Sequence, residues 1–93
     1  MIKTFADRHS KELYDTGKSK RLSPGVWKSA QRRLQYLDVA KGLDDLKALA
    51  SNRFHALEKD RKGQFSISIN LQWRICFRFV DGDAYDVEIT DYH

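Results

Sequence analysis

Ninety-three residues with 41% hydrophobic and 12% aromatic side chains make one domain, residues 1–93, with a modest core and no call for disorder. No apolar run approaches the roughly 20 residues of a membrane span, Met1-Ile2-Lys3-Thr4-Phe5-Ala6-Asp7 lacks the apolar core of a signal peptide, and the single Cys76 excludes an internal disulfide and cysteine-based metal spacing; a cytoplasmic protein without membrane contact is expected. The net charge of +4 divides into +7 over residues 1–63 and −3 over residues 64–93, a basic layer over a mildly acidic one that suits RNA, DNA or an acidic protein segment.

In chain order, Ile2 to Phe5 predicts a short first strand. Asp7 caps a helix running from Arg8 to Tyr14 or Asp15. Thr16 to Arg21 is a basic loop. Its Gly17-Lys18-Ser19 is no phosphate loop, because the earlier glycine of that motif is missing and no strand precedes it. Ser23-Pro24 starts a second helix, with Ser as N-cap and Pro at the first helical position. Val26, Ala30, Leu34 and Leu37 form its buried stripe, with Trp27 at the edge. Lys28, Arg32 and Arg33 form a basic ridge on the outer side, a candidate surface for a partner. Gly42 ends this helix, and Leu43 to Leu49 predicts a short third segment.

Arg53 to Leu57 reads as a strand, and the charged connection Glu58 to Gly63 follows it. Three further runs, Phe65 to Ile69, Gln72 to Val80 and Ala84 to Asp91, carry apolar residues at every second position. Phe65, Ile67 and Ile69, then Trp73, Ile75, Phe77 and Phe79, then Tyr85, Val87 and Ile89 mark one buried face. Gln64, Ser66, Ser68, Arg74, Arg78, Glu88 and Thr90 take the other. Asp81-Gly82 is a hairpin signal. The expected class is α+β: two or three N-terminal helices packed on one face of a twisted, mainly antiparallel sheet.

His55 points to the polar face if Phe54 is in the core, and Arg74, between Trp73 and Ile75, points there too. Asp91-Tyr92-His93 closes the chain beyond the last strand. Two histidines and an arginine match the needs of RNA cleavage through the 2′-OH: a base, an acid and a cation for the phosphate. Histidine titrates near neutrality, and the arginine fork fits phosphate oxygens. No metal and no cofactor is needed. Each residue also has an ordinary reading. His55 is a surface histidine, Arg74 and Arg78 a solvated row, Lys59, Arg61 and Lys62 a solvated turn, Tyr92 and His93 a frayed end, and Cys76 inert packing.

The stretches Arg53-Phe54-His55-Ala56-Leu57, Lys59 to Ile67 (an R-x-G-x-x-S-I run), Gln72-Trp73-Arg74-Ile75-Cys76-Phe77 (a W-R-I-x-F strand) and Asp91-Tyr92-His93 together resemble the HigB-type toxins of the RelE/ParE superfamily, bacterial type II toxin–antitoxin proteins. With Met1 to Phe5, the resemblance covers essentially the whole chain. It implies a RelE-like microbial RNase fold and a ribosome-dependent mRNA endonuclease that cuts message in the decoding site of the 70S ribosome, against mRNA and rRNA. It also implies a cognate HigA-like helix-turn-helix antitoxin. On matching positions, His55, Arg74, Asp91, Tyr92 and His93 form the active-site set: His55 or Asp91 as general base, Arg74 as phosphate clamp, His93 as general acid or second base, and Tyr92 stacking on a base. Lys59, Arg61, Lys62 and Arg78 are the RNA-binding positions. Relatives often carry a lysine directly after the histidine strand; here Glu58 takes that place and Lys59 follows.

Two other classes remain open at this stage. A ParE-like gyrase poison shares the fold without the nuclease residues, and a non-enzymatic module would use the basic helix Pro24 to Val39 to hold an acidic partner.

Overall fold

The computed structural model describes residues 1–91. Asp7 caps helix α1 (Arg8–Thr16), its carboxylate accepting from the Ser10 amide at 2.7 Å. Gly17 ends it in the left-handed conformation with φ of 78°. Helix α2 (Pro24–Val39) starts at Ser23 with Pro24 in its first turn; the Ser23 side chain makes no capping hydrogen bond. Ala30, Leu34 and Leu37 of α2 are fully buried, and Val26 and Trp27 pack against the same core. Trp27 Nε1 donates to the carbonyls of Ser19 and Leu22, each at 2.9 Å, and so ties down the loop between the helices. A short α3 (Leu43–Lys47) follows, with Leu46 buried beneath it.

The sheet has the order β1 (His55–Ala56), β2 (Phe65–Ser68), β3 (Arg74–Val80), β4 (Asp83–Thr90), all neighbours antiparallel. Strand β1 is shorter than the expected Arg53 to Leu57. Arg53 has a left-handed φ of 46° and Lys59 one of 55°, so extended backbone exists only between them. Strand β3 starts two residues late, because the Asn70 side chain takes the amides of Gln72 and Trp73 at 2.8 and 2.7 Å and holds that stretch as a turn.

The N-terminal segment forms isolated parallel bridges on the outer edge of β4, Ile2 with Ala84 and Phe5 with Val87. Backbone bonds Lys3 N to Ala84 O (2.8 Å), Ala84 N to Met1 O (2.9 Å), Ala6 N to Val87 O (2.9 Å) and Val87 N to Thr4 O (3.1 Å) make the pairing. Thr4 Oγ1 takes the Asp86 amide and Ser10 Oγ the Ile89 amide. The edge that would otherwise template another strand is thereby covered.

One expected face assignment fails. Register slips by one between the Cys76–Glu88 and Arg78–Tyr85 pairs, so Asp86 and Val87 together oppose Phe77. Asp86 has φ of 53°; it is the inserted residue of a β-bulge. Past the bulge Ala84 is fully buried on the core side, and Tyr85, half-exposed, joins Arg78 on the polar side. The helices cover the other face, where Leu13, Leu34, Leu37 and Leu46 meet Ile67, Ile75, Phe77 and Val87. Each such side chain contributes on the order of 1.5–3 kcal/mol by burial. No helix among the described residues is long and apolar enough to cross a membrane.

Candidate active site

Strand pairing lays His55, Ser66, Cys76 and Glu88 side by side across the polar face, one from each strand. His55 is exposed at the edge strand, while Phe54 stacks on Phe65 on the opposite side, ring centroids 5.5 Å apart. Ser66 is fully buried although it lies on the face away from the helices. Its hydroxyl is engaged by Arg74, whose Nε donates to Ser66 Oγ at 2.9 Å and whose Nη2 donates to the Arg53 carbonyl at 2.8 Å. Arg53 precedes His55 by two residues, so the guanidinium and the imidazole belong to one neighbourhood.

Further along the face, Arg61 Nη1 donates to Gln64 Oε1 at 3.0 Å and meets Glu88 Oε1 at 3.1 Å. Cys76 lies buried in this region. Burial pushes its thiol pKa up, and Glu88 adds to that, against an opposing pull from Arg61 and Arg74. The protonated thiol is thus the favoured form at neutral pH, which suits packing rather than nucleophilic attack. Arg78 pairs with Asp86 at 3.4 Å. A Cβ added at Gly63, where φ is +93°, would stand 3.1 Å from Arg78 Nη1. Arg78 therefore borders the turn that carries Lys59, Arg61 and Lys62. Lys59 and Lys62 are exposed.

Asp91 follows Thr90, the partner of Arg74 in the ladder, and accepts from Gln72 Nε2 at 3.1 Å. Tyr92 and His93 lie outside the described residues. Arg74, at the start of β3, thus reaches the backbone beside His55, whereas Asp91 follows β4 on the opposite edge of the sheet from β1. The basic turn with Arg61 and Arg78 lies further along the polar face. Together these groups form a cationic surface able to hold a phosphodiester backbone beside an imidazole.

The ridge on α2 divides. Lys28 and Arg32 are exposed, whereas Arg33 donates to Asn52 Oδ1 and, at 3.1 Å, to Ser51 Oγ, and lies over the Tyr36 ring. Arg33 thereby braces α2 against the turn Ala50–Asn52 that leads to β1. Alternation puts Ser66 and Glu88 on the polar face but gives neither a part; the diagonal reach of Arg74 to Ser66 and the 27-residue span from Arg61 to Glu88 require the folded ladder.

The family model of a RelE-like toxin of the type II toxin–antitoxin system HigB matches residues 3–93. The chain is 34% identical over 93 residues to "Endoribonuclease HigB" of Proteus vulgaris, with both chains covered in full. It is 39% identical to "Toxin HigB-1" of Vibrio cholerae serotype O1, covering 99% of this chain and 98% of that one. The toxin–antitoxin complex "YoeB-YefM complex from Staphylococcus aureus" contains a chain of the same fold, with a TM-score of 0.61 at 15% identity over 100% of this chain and 98% of the other. With a full-length family match, two relatives above 30% identity and the α+β fold of a RelE-like toxin, the chain belongs to the HigB-like family of type II toxins.

Proposed function

We propose that this chain is an endoribonuclease that cuts messenger RNA on the ribosome and so inhibits translation. The observation that carries the reading is the placement of Arg74, bound to Ser66 and to the Arg53 carbonyl on the face that also displays His55. The full-length relative named as an endoribonuclease supports it. In the reaction, His55 or Asp91 removes the proton of a ribose 2′-OH. The 2′ oxygen bonds to the adjacent phosphorus, and the bond from phosphorus to the 5′ oxygen breaks. A cyclic 2′,3′-phosphate and a 5′-OH result, with His93 returning a proton to the leaving oxygen. Arg74 holds the non-bridging oxygens as charge builds on them. Tyr92 stacks on a base. Lys59, Arg61, Lys62 and Arg78 follow the phosphate backbone.

The partner that restrains this activity is a cognate HigA-like helix-turn-helix antitoxin. Lys28 and Arg32, exposed on α2, offer it, or ribosomal RNA, a basic surface. The setting is the cytoplasm, where translating ribosomes are.

The test uses purified protein with one defined message, either free or under translation in a reconstituted system. Cutting within codons of the translated message, and little of the free one, is expected. His55→Ala should lower the rate by roughly 10²- to 10⁴-fold. Equal cutting of both messages would remove the ribosome from the account, and no cutting of either would remove the enzyme.

A further inference from the structure

We propose that Ser66 is a positioning residue, which, with the Arg53 carbonyl, forms a cradle that orients the Arg74 guanidinium. The inference rests on the reading of Arg74 as phosphate clamp and adds how that group is held.

Four observations converge on it. First, a fully buried serine is an unusual occupant of a central strand, where β-branched or aromatic residues fit better. Its hydroxyl costs free energy to bury unless it is hydrogen-bonded, and it accepts from Arg74 Nε at 2.9 Å. Second, Ser66 stands directly opposite His55 in the β1–β2 ladder. It therefore links the imidazole strand to the guanidinium in one step. Third, Arg53 holds a left-handed φ of 46°, a conformation that is unfavourable for a non-glycine residue. That backbone state coincides with the carbonyl at Arg53 receiving Arg74 Nη2 at 2.8 Å. Fourth, the two contacts engage different nitrogens of one planar group, which fixes its position and its plane together. A lysine could not be held in that way.

Orientation of a charged fork toward a phosphorane-like transition state is worth far more than charge alone, because misplacement by about 1 Å costs roughly 100-fold in rate. Ser66 does not touch the reacting atoms. It acts through Arg74.

The experiment compares Ser66→Ala, Ser66→Thr, Arg74→Ala and the double variant Ser66→Ala/Arg74→Ala in the translation-coupled cleavage assay, with thermal melting of each protein. Ser66→Ala is expected to lower kcat by roughly 10- to 100-fold with KM little changed and the melting temperature near wild type. Ser66→Thr, which keeps the hydroxyl, restores most of the rate. In the Arg74→Ala background the serine change adds nothing further, since both act as one unit. Wild-type kcat in Ser66→Ala beside an inactive Arg74→Ala would overturn the cradle and leave the clamp standing. An equal loss from Ser66→Ala in both backgrounds would also overturn it, by showing that Ser66 acts elsewhere. Full activity in Arg74→Ala would overturn the clamp itself and the cradle with it.

Discussion

Arg61 and Glu88 meet 3.1 Å apart across 27 residues of sequence, joining the charged turn after β1 to the middle of β4. The pair is roughly three-quarters buried on both sides and sits where RNA is proposed to pass. Arg61 there is shared between Glu88 and Gln64 within the protein and any phosphate laid over it. Glu88→Gln keeps a hydrogen-bond acceptor and removes the competing charge. RNA affinity is expected to rise roughly two- to fivefold at low salt, with a steeper salt dependence, while stability falls by no more than about 1 kcal/mol. Binding titrations at two salt concentrations check this, and unchanged affinity at both would place Arg61 off the RNA path.

The Ser10 hydroxyl receives the Ile89 amide at 2.9 Å, 79 residues away, in a buried setting. Ser10→Ala leaves that donor without its acceptor, an omission worth about 1–3 kcal/mol. At about 4–8 °C per kcal/mol for a domain of this size, the melting temperature should fall by several degrees or more. A melt within 1–2 °C of wild type, on that scale, would show that water replaces the hydroxyl.

Asp86 carries the bulge of β4 with φ of 53°. Asp86→Gly should be tolerated, because glycine accepts that conformation and the ion pair to Arg78 that is lost lies near the surface. Asp86→Val should cost roughly 1–3 kcal/mol. Chemical denaturation of both variants measures the difference, and equal stabilities would argue that the register can shift to absorb the change.

The Cys76 thiol and the Tyr14 phenol both have pKa values raised above their ordinary ones, in each case chiefly by burial; for Tyr14, a hydrogen bond to Asp38 and the charges of Asp38 and Asp15 add to it. Below the unfolded-state values, both groups are protonated in either state and their contribution to stability is whole. As pH rises past the ordinary thiol value, about 8.5, the unfolded chain loses its proton first, and stability falls. The stability advantage of wild type over Cys76→Ala should therefore shrink as pH climbs through the alkaline range. Melting curves from neutral to alkaline pH follow it, and a constant difference would contradict the raised thiol.

Much of this could be read from spacing. Leu34 and Leu37 on one helix stripe, and Ile67, Ile75 and Val87 on one sheet face, are period arguments, and the folded chain buries them all. The same alternation puts His55 and Arg74 on the polar side, where they stand. It fails at Tyr85, because a single left-handed aspartate inverts parity and no period reveals it in advance. Ser66 reads as a polar-face residue and is nevertheless buried, its hydroxyl taken by Arg74 reaching diagonally from the neighbouring strand. The hold of Arg33 on Asn52 and Ser51 is likewise a matter of which turn comes to rest beside α2.

The most direct measurement is a map of message 5′ ends after brief induction of this chain and of His55→Ala in growing cells. The account predicts cuts in phase with the reading frame, dependent on translation, and absent from the variant. Cuts of undiminished strength in His55→Ala would move the chemistry away from the polar face of the sheet. Intact messages during growth arrest would contradict the ribonuclease account altogether.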